Sequence, residues 1–167
     1  LLQESTTRLA IANDETEKAR SNLTEAIETI NEGFALFEEK DGLVLSNSRF
    51  CRDLVDIEGQ LVRGLQFDQY VKLISESNML GLPKGQTAAE WAAQRMARHR
   101  DDHVVFNVKL KWDRWLQVSE HRTSRGGTVI LQTDVTTIIR RERQERDKIR
   151  GKQAEILQAT LDHLNQG

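Results

Sequence analysis

Over its first 32 residues the chain holds no glycine and no proline, and its apolar side chains recur every seven positions. Leu2, Leu9, Thr16, Leu23 and Ile30 make one row. Ser5, Ala12, Ala19 and Ala26 make a second row three residues on. Two such rows are the seam of a coiled coil that alternates a large layer with a small one. A stripe this narrow suits a helix–helix contact better than a broad globular core. Residues 1–32 are therefore expected to form a dimerisation helix with Leu2, Leu9, Ala12, Ala19, Leu23, Ala26 and Ile30 in the seam. A solitary amphipathic helix lying on its own domain is the alternative. The spacing leaves parallel and antiparallel pairing equally open.

Residues 136–165 also read as helix. The stretch RRERQERDK is polar all round and offers opposite charges at i,i+4, such as Glu142 and Arg146. Apolar residues return at Ile149, Ile156, Leu157, Leu161 and Leu164, and Gly151 is a weak point within the run. The two ends differ in sign. Segment 1–32 has three basic residues against seven acidic, and segment 140–153 has seven basic against three acidic. The basic run lacks aromatics and is interleaved with acids. Together with a net charge of −2, this argues for a solvated helix and against a nucleic-acid partner. LTEAIETINEG at 23–33 and LQATLDHLNQG at 157–167 match at a constant offset of 134 residues and share an Asn-x-Gly ending. This spacing is what a tandem array of helix-led domains would show, with a second copy beginning at residue 157.

The strand-like material lies between the two ends. FALFEEKDGLVLSN reads as a hairpin turning at Lys40-Asp41-Gly42, followed by a short helix over 48–56 with Phe50, Leu54 and Val55 inward. Asp68 is a candidate cap for a helix through Ser77, and Thr87-Ala-Ala-Glu90 is a capping box for a helix to about Arg98. On that helix Trp91, Ala92, Met96 and His99 share one face. Phe106, Val108, Leu110 and Trp112 alternate with Asn107, Lys109 and Lys111, the period of a strand. Strands at 115–123 and 128–134 follow, joined by a tight turn at Ser124-Arg-Gly-Gly127. Two strands, several helices and three strands, with short turns inside each strand group, predict an α+β domain: an antiparallel sheet with helices on one face.

The order of elements resembles a PAS sensor domain, and so do two strings. INEGFALFEEKDGLVLSNSRF is similar to the first hairpin and following helix of PAS domains. RWLQVSEHRTSRGGTVILQTDVTTI is similar to the last two strands and the Asp-x-Thr exit, here Asp134-Val135-Thr136. The resemblance covers about 23–139 and is closest to PAS units of bacterial multidomain kinases and cyclase-type signalling proteins. One departure is Trp112-Asp113-Arg114-Trp115, where the family often has Asp-Gly-Arg-Trp. The resemblance implies a PAS fold at 33–135 between coiled-coil connectors, with a five-stranded antiparallel sheet and a small cavity under its helices. Phe37, Phe50, Leu54, Val71, Trp91, Met96 and Phe106 are the candidate lining. The same residues equally fit an ordinary filled core.

It also implies a bacterial signal-relay module that is not itself an enzyme: a homodimer coupled through Asp134 and Thr136 to adjacent PAS and output domains. A histidine kinase is the expected output, ahead of a diguanylate cyclase. A ligand-free dimerisation spacer is the alternative. The expected location is cytoplasmic: no apolar run approaches the ~20 residues of a membrane span, and no basic start with an apolar core marks a signal peptide.

Other motifs carry less. His99-Arg-Asp-Asp-His103 has the histidine spacing of a zinc metalloprotease but arginine where the catalytic glutamate belongs. GLPKGQT lacks the Gly-Lys-Ser/Thr end of a phosphate loop. The lone Cys51 lies in Arg-Phe-Cys-Arg rather than in the Asn-Cys-Arg-Phe-Leu string of flavin-binding light sensors, and excludes any multi-cysteine metal site. His99 as a haem ligand competes with an ordinary core histidine. No cofactor or metal is expected, although an unidentified small ligand fits the cavity reading.

Overall fold

The computed structural model describes residues 2–166. Helix α1 (Leu2–Glu28) leads into β1 (Gly33–Phe37) and β2 (Leu43–Ser46). Helices α2 (Phe67–Ser75) and α3 (Ala88–Ala97) follow, then β3 (His103–Leu110), β4 (Arg114–Arg122), β5 (Thr128–Asp134) and α4 (Thr136–Asn165). The five strands form one antiparallel sheet in the order β2-β1-β5-β4-β3. The first and last strand groups thus meet at the β1–β5 pair, in the middle of the sheet.

Period-two patterning decides which face is buried. Val104, Val108 and Leu110 on β3, Leu116 and Val118 on β4, Ile130 on β5 and Ala35 and Phe37 on β1 all turn to the helical side. There they meet Phe67, Tyr70, Val71 and Ile74 of α2 and Trp91 of α3. Phe37 packs edge-on against Phe67 at 5.3 Å, and Phe50 stacks on Tyr70 at 5.5 Å. Rings in these offset and edge arrangements bury large apolar area in favourable geometry.

Several expectations are corrected. Residues 48–56 form irregular turns ending in a single 3-10 turn at Val55–Ile57, not a helix, and Val55 is exposed. Cys51 there takes a φ of 56°, which a helix cannot accommodate. Helix α2 is capped by Gln66, whose backbone N–H donates to the side chain of Gln69, rather than by Asp68. The β3 alternation stops at Leu110: Trp112 is 74% exposed, and both Trp112 and Asp113 have positive φ in the β3–β4 turn. Asp113 therefore occupies the position of the family glycine in a conformation that favours glycine, at a cost of about 1 kcal/mol or more. Helix α1 ends at Glu28, so the seam position Ile30 lies beyond it in a turn. Thr87 caps α3 as the sequence places it, its hydroxyl accepting from the Glu90 N–H, but the Glu90 carboxylate accepts from that hydroxyl rather than from the Thr87 N–H; the strand at 128–134 and the helix from Thr136 lie where the sequence places them.

Candidate functional site

Three arrangements bring together the residues that bear on function: an entry junction, a core cavity and an exit junction. The entry junction is built on Asn47, which is 5% exposed and satisfies its whole amide. Its Nδ2 donates to the carbonyls of Ile27 (2.9 Å) and Glu32 (2.8 Å). Its Oδ1 accepts from the N–H groups of Phe34 (2.9 Å) and Phe50 (3.1 Å). One side chain thus ties the end of α1, the start of β1 and the loop after β2. Glu28 adds its carboxylate, accepting from the Ser48 N–H at 2.8 Å and hydroxyl at 2.7 Å, and Arg49 donates to the Ile30 carbonyl. Gly33 suits this close approach, since a Cβ would lie 3.0 Å from both the Arg49 carbonyl oxygen and Phe50 Cα and would push that backbone aside by a few tenths of an ångström. Asn47 and Arg49 fall inside the string that resembles the first PAS hairpin, and Glu28 inside the repeated segment, but nothing in those strings singles them out; the tertiary crossing of α1 and the 47–50 turn gives them these partners.

The exit junction is built on Asp134 and Thr136. The Thr136 hydroxyl accepts from the Trp115 N–H at 2.9 Å and returns a longer bond to the Trp115 carbonyl at 3.4 Å. The Thr136 N–H donates to Asp134 at 2.9 Å, so the acid ending β5 caps the start of α4. Arg114 bridges Asp134 at 3.0 Å and Asp53 at 2.8 Å. Burial works to raise the Asp134 carboxyl, but hydrogen bonds from Thr136 and Arg114 outweigh it and hold the group below the usual carboxylate range. One turn further on, Arg140 and Arg143 reach the β3–β4 turn. Arg140 donates to the Trp112 and Asp113 carbonyls at 3.1 Å, and Arg143 donates to the Asp113 carboxylate at 3.1 Å. The basic residues at the start of α4 thus hold the helix against the sheet, and Glu142 and Arg146 form no ion pair. Between the two junctions lies a polar cleft of about 360 Å³, lined by Gly33, Arg49, Arg52, Arg114, Gln132 and Asp134 among others.

The cavity under the helices holds about 20 Å³, room for one water. Of the sequence candidates, Leu54, Val71, Trp91 and Phe106 line it. Phe37 and Phe50 are buried beside it in the ring cluster, and Met96 points outward at 37% exposure. The cavity's polar residues, Arg95, Glu120 and Gln132, were not among those candidates. Glu120 sits at an inward position of β4, two residues from Val118, where the alternation itself calls for an apolar residue. Its carboxyl accepts no hydrogen bond among the described residues, and burial pushes it up to about 7, with Arg95 opposing. The Arg95 guanidinium lies 3.9 Å over the Phe106 ring, and its Nε is buried without a partner. Gln132 joins this cavity to the cleft, accepting from the Cys51 N–H at 2.8 Å. Burial pushes the Cys51 thiol up to about 12, which keeps it protonated and unreactive.

His99 is buried, stacked 3.6 Å from Phe67, with Nε2 2.8 Å from an Asp41 carboxylate oxygen. Helix α3 ends at Ala97, so His99 lies in the turn beyond it rather than on its face, and His103 lies on β3; the two histidines of the metalloprotease-like spacing share no helix. Among the described residues, no three His, Cys, Asp or Glu side chains gather around a possible metal position, and no helix is long and apolar enough to cross a membrane. Of the seam residues, Leu9, Ala12, Ala19, Leu23 and Ala26 are exposed along α1 and Ile30 is exposed just beyond it; the side chain of Leu2 lies outside the described residues.

The chain is 25% identical over 143 residues to a "non-motile and phage-resistance protein" of Caulobacter vibrioides, a stretch that is 81% of this chain and 14% of that protein. Solved structures similar to it include the PAS domain of an HTR-like protein from Haloarcula marismortui, at 15% identity and a TM-score of 0.47, covering 75% of this chain and 98% of that one. Another is the phage VqmA–DPO complex, at 16% identity and a TM-score of 0.49, covering 83% and 62% respectively. The model of the PAS fold family matches residues 27–145. That span runs from the buried Ile27 at the end of α1, through the whole sheet, to the arginines that pin α4, and the chain belongs to the PAS fold family of signal-sensing modules.

Proposed function

We propose that this chain is the relay module of a bacterial two-component-type sensor in the cytoplasm. It dimerises through its flanking helices and passes a conformational change to adjacent PAS and output domains, a histidine kinase ahead of a diguanylate cyclase. The observation that carries this reading is the pairing of two helix junctions across the β1–β5 pair. Asn47 ties α1 to the sheet, and Thr136 with Asp134 ties α4 to it. Helices anchored at one end and otherwise free work as levers. A population shift between two helix-pair packings needs only a few kcal/mol of differential interaction, which junctions of this kind can supply.

Dimerisation is supported by α1 itself. It projects about 35–40 Å with the seam residues Leu9 and Leu23 exposed, and Ala12, Ala19 and Ala26 exposed between and beyond them. A helix with such a stripe gains its stability mostly from a packing partner. Leu9→Asp and Leu23→Asp test the seam by light scattering on the chain, whose monomer mass is 19.2 kDa. Conversion of the dimer to that mass is the expected result. An unchanged mass in both variants would reject the seam.

The ligand-free spacer is the second reading, favoured by a cavity of only about 20 Å³. Native mass spectrometry of the chain purified from cells separates the two. A retained small molecule supports the sensor, and a bare chain whose junctions do not respond to added metabolites supports the spacer.

A further inference from the structure

The outer face of the sheet carries a cluster that the relay does not use. His103 on β3 and His121 on β4 are directly opposite in register. The neighbouring pair is hydrogen-bonded, with the Arg122 N–H donating to the Asp102 carbonyl at 2.9 Å. Pairs alternate along an antiparallel ladder, so His103 and His121 occupy the narrow, non-hydrogen-bonded kind of site, where side chains approach most closely. Their rings stack at 4.1 Å with an interplanar angle of 17°. Both Nε2 atoms converge on one oxygen: the Ser119 hydroxyl is 2.9 Å from His121 Nε2 and 3.5 Å from His103 Nε2.

We propose that His103 and His121, with the Ser119 hydroxyl beside them, chelate one divalent late transition-metal ion across the open end of the β3–β4 hairpin. The donor set decides the class of ion. Two neutral imidazoles suit Cu²⁺, Ni²⁺ and Zn²⁺, whereas Mg²⁺ and Ca²⁺ demand oxygen ligands. Metal–nitrogen bonds of about 2.0–2.1 Å require the two exposed rings to swing out of the present stack, so that their in-plane Nε2 lone pairs converge on the ion. Both histidines are exposed, so an ion reaches them without opening the fold, and water fills the remaining positions. The bound ion links β3, the edge strand of the sheet, to β4.

The test is titration of the full chain with Cu²⁺, followed by calorimetry and by electron paramagnetic resonance. One ion per chain with two equatorial nitrogens is expected. Affinity should fall at least about tenfold in His103→Ala and again in His121→Ala, and stay unchanged in His163→Ala. Because His103 and His121 are exposed, thermal melts should show the variants folded, while Cu²⁺ raises the melting temperature of the parent chain alone. Equal binding by the His103→Ala/His121→Ala double variant would mark an adventitious ion elsewhere and overturn the site. Absence of binding at tens of micromolar Cu²⁺ would overturn it as well.

Discussion

At the scale of single residues, two buried polar side chains stand apart. Asn47 places four hydrogen bonds on backbone groups from three segments. Truncating it leaves those groups facing a cavity, each at a cost of about 1 kcal/mol or more. Asn47→Ala should destabilise the domain by about 2–4 kcal/mol in urea denaturation; a loss under about 0.5 kcal/mol would show that the junction is held by something else. Glu120 is the opposite case, a buried carboxyl that accepts no hydrogen bond among the described residues and has the Arg95 charge near it. Its folded pKa, pushed from 4.5 to about 7, lies above its unfolded one, so the folded state binds the extra proton. The contribution of this group to stability is full below about pH 4.5 and is lost as pH rises through about 7, by on the order of 3 kcal/mol. Glu120→Gln should remove that slope. Urea midpoints at pH 5 and pH 8 measure it, and parallel parent and variant curves would show that the carboxyl is solvated. Neither residue was legible as functional beforehand. Asn47 reads as one more loop asparagine, and Glu120 breaks an apolar alternation in a way visible only once the inward face is known.

At the scale of elements, strands and capped helices could be read directly. Alternation marked β3 to β5, and a hydroxyl three residues before Glu90 marked α3. The segment between β2 and α2 could not, because its conformation follows from burying Phe50, Leu54 and Ile57 under the sheet rather than from local propensity. The β3–β4 turn is the other case. Trp112 continues the apolar period on paper, yet the chain turns there and Asp113 becomes the acceptor for Arg143 and Arg140. This clamp predicts a local effect. Asp113→Ala should speed amide exchange in the first two turns of α4 several-fold and leave the β1–β5 pair unchanged. Equal protection of α4 in the variant would mean that the Asp134–Thr136 junction suffices alone.

At the scale of the whole molecule, α1 before Ala26 and α4 beyond its arginines make little contact with the sheet domain. Removing residues 1–24 should therefore change the thermal stability of the domain by less than about 0.5 kcal/mol while abolishing any association through α1. A large drop in melting temperature would show that α1 is part of the fold. The sequence by itself determined the long flanking helices, the capped α3, the strands and the kinship, because period, capping and turn chemistry are local and repeat along the chain. What only the tertiary structure decided is which polar groups meet. Asn47 with Ile27, Arg114 with Asp53, Glu120 with Arg95 and His103 with His121 are each separated by many residues. Their partners arise from strand order and register, which spacing along one chain does not encode.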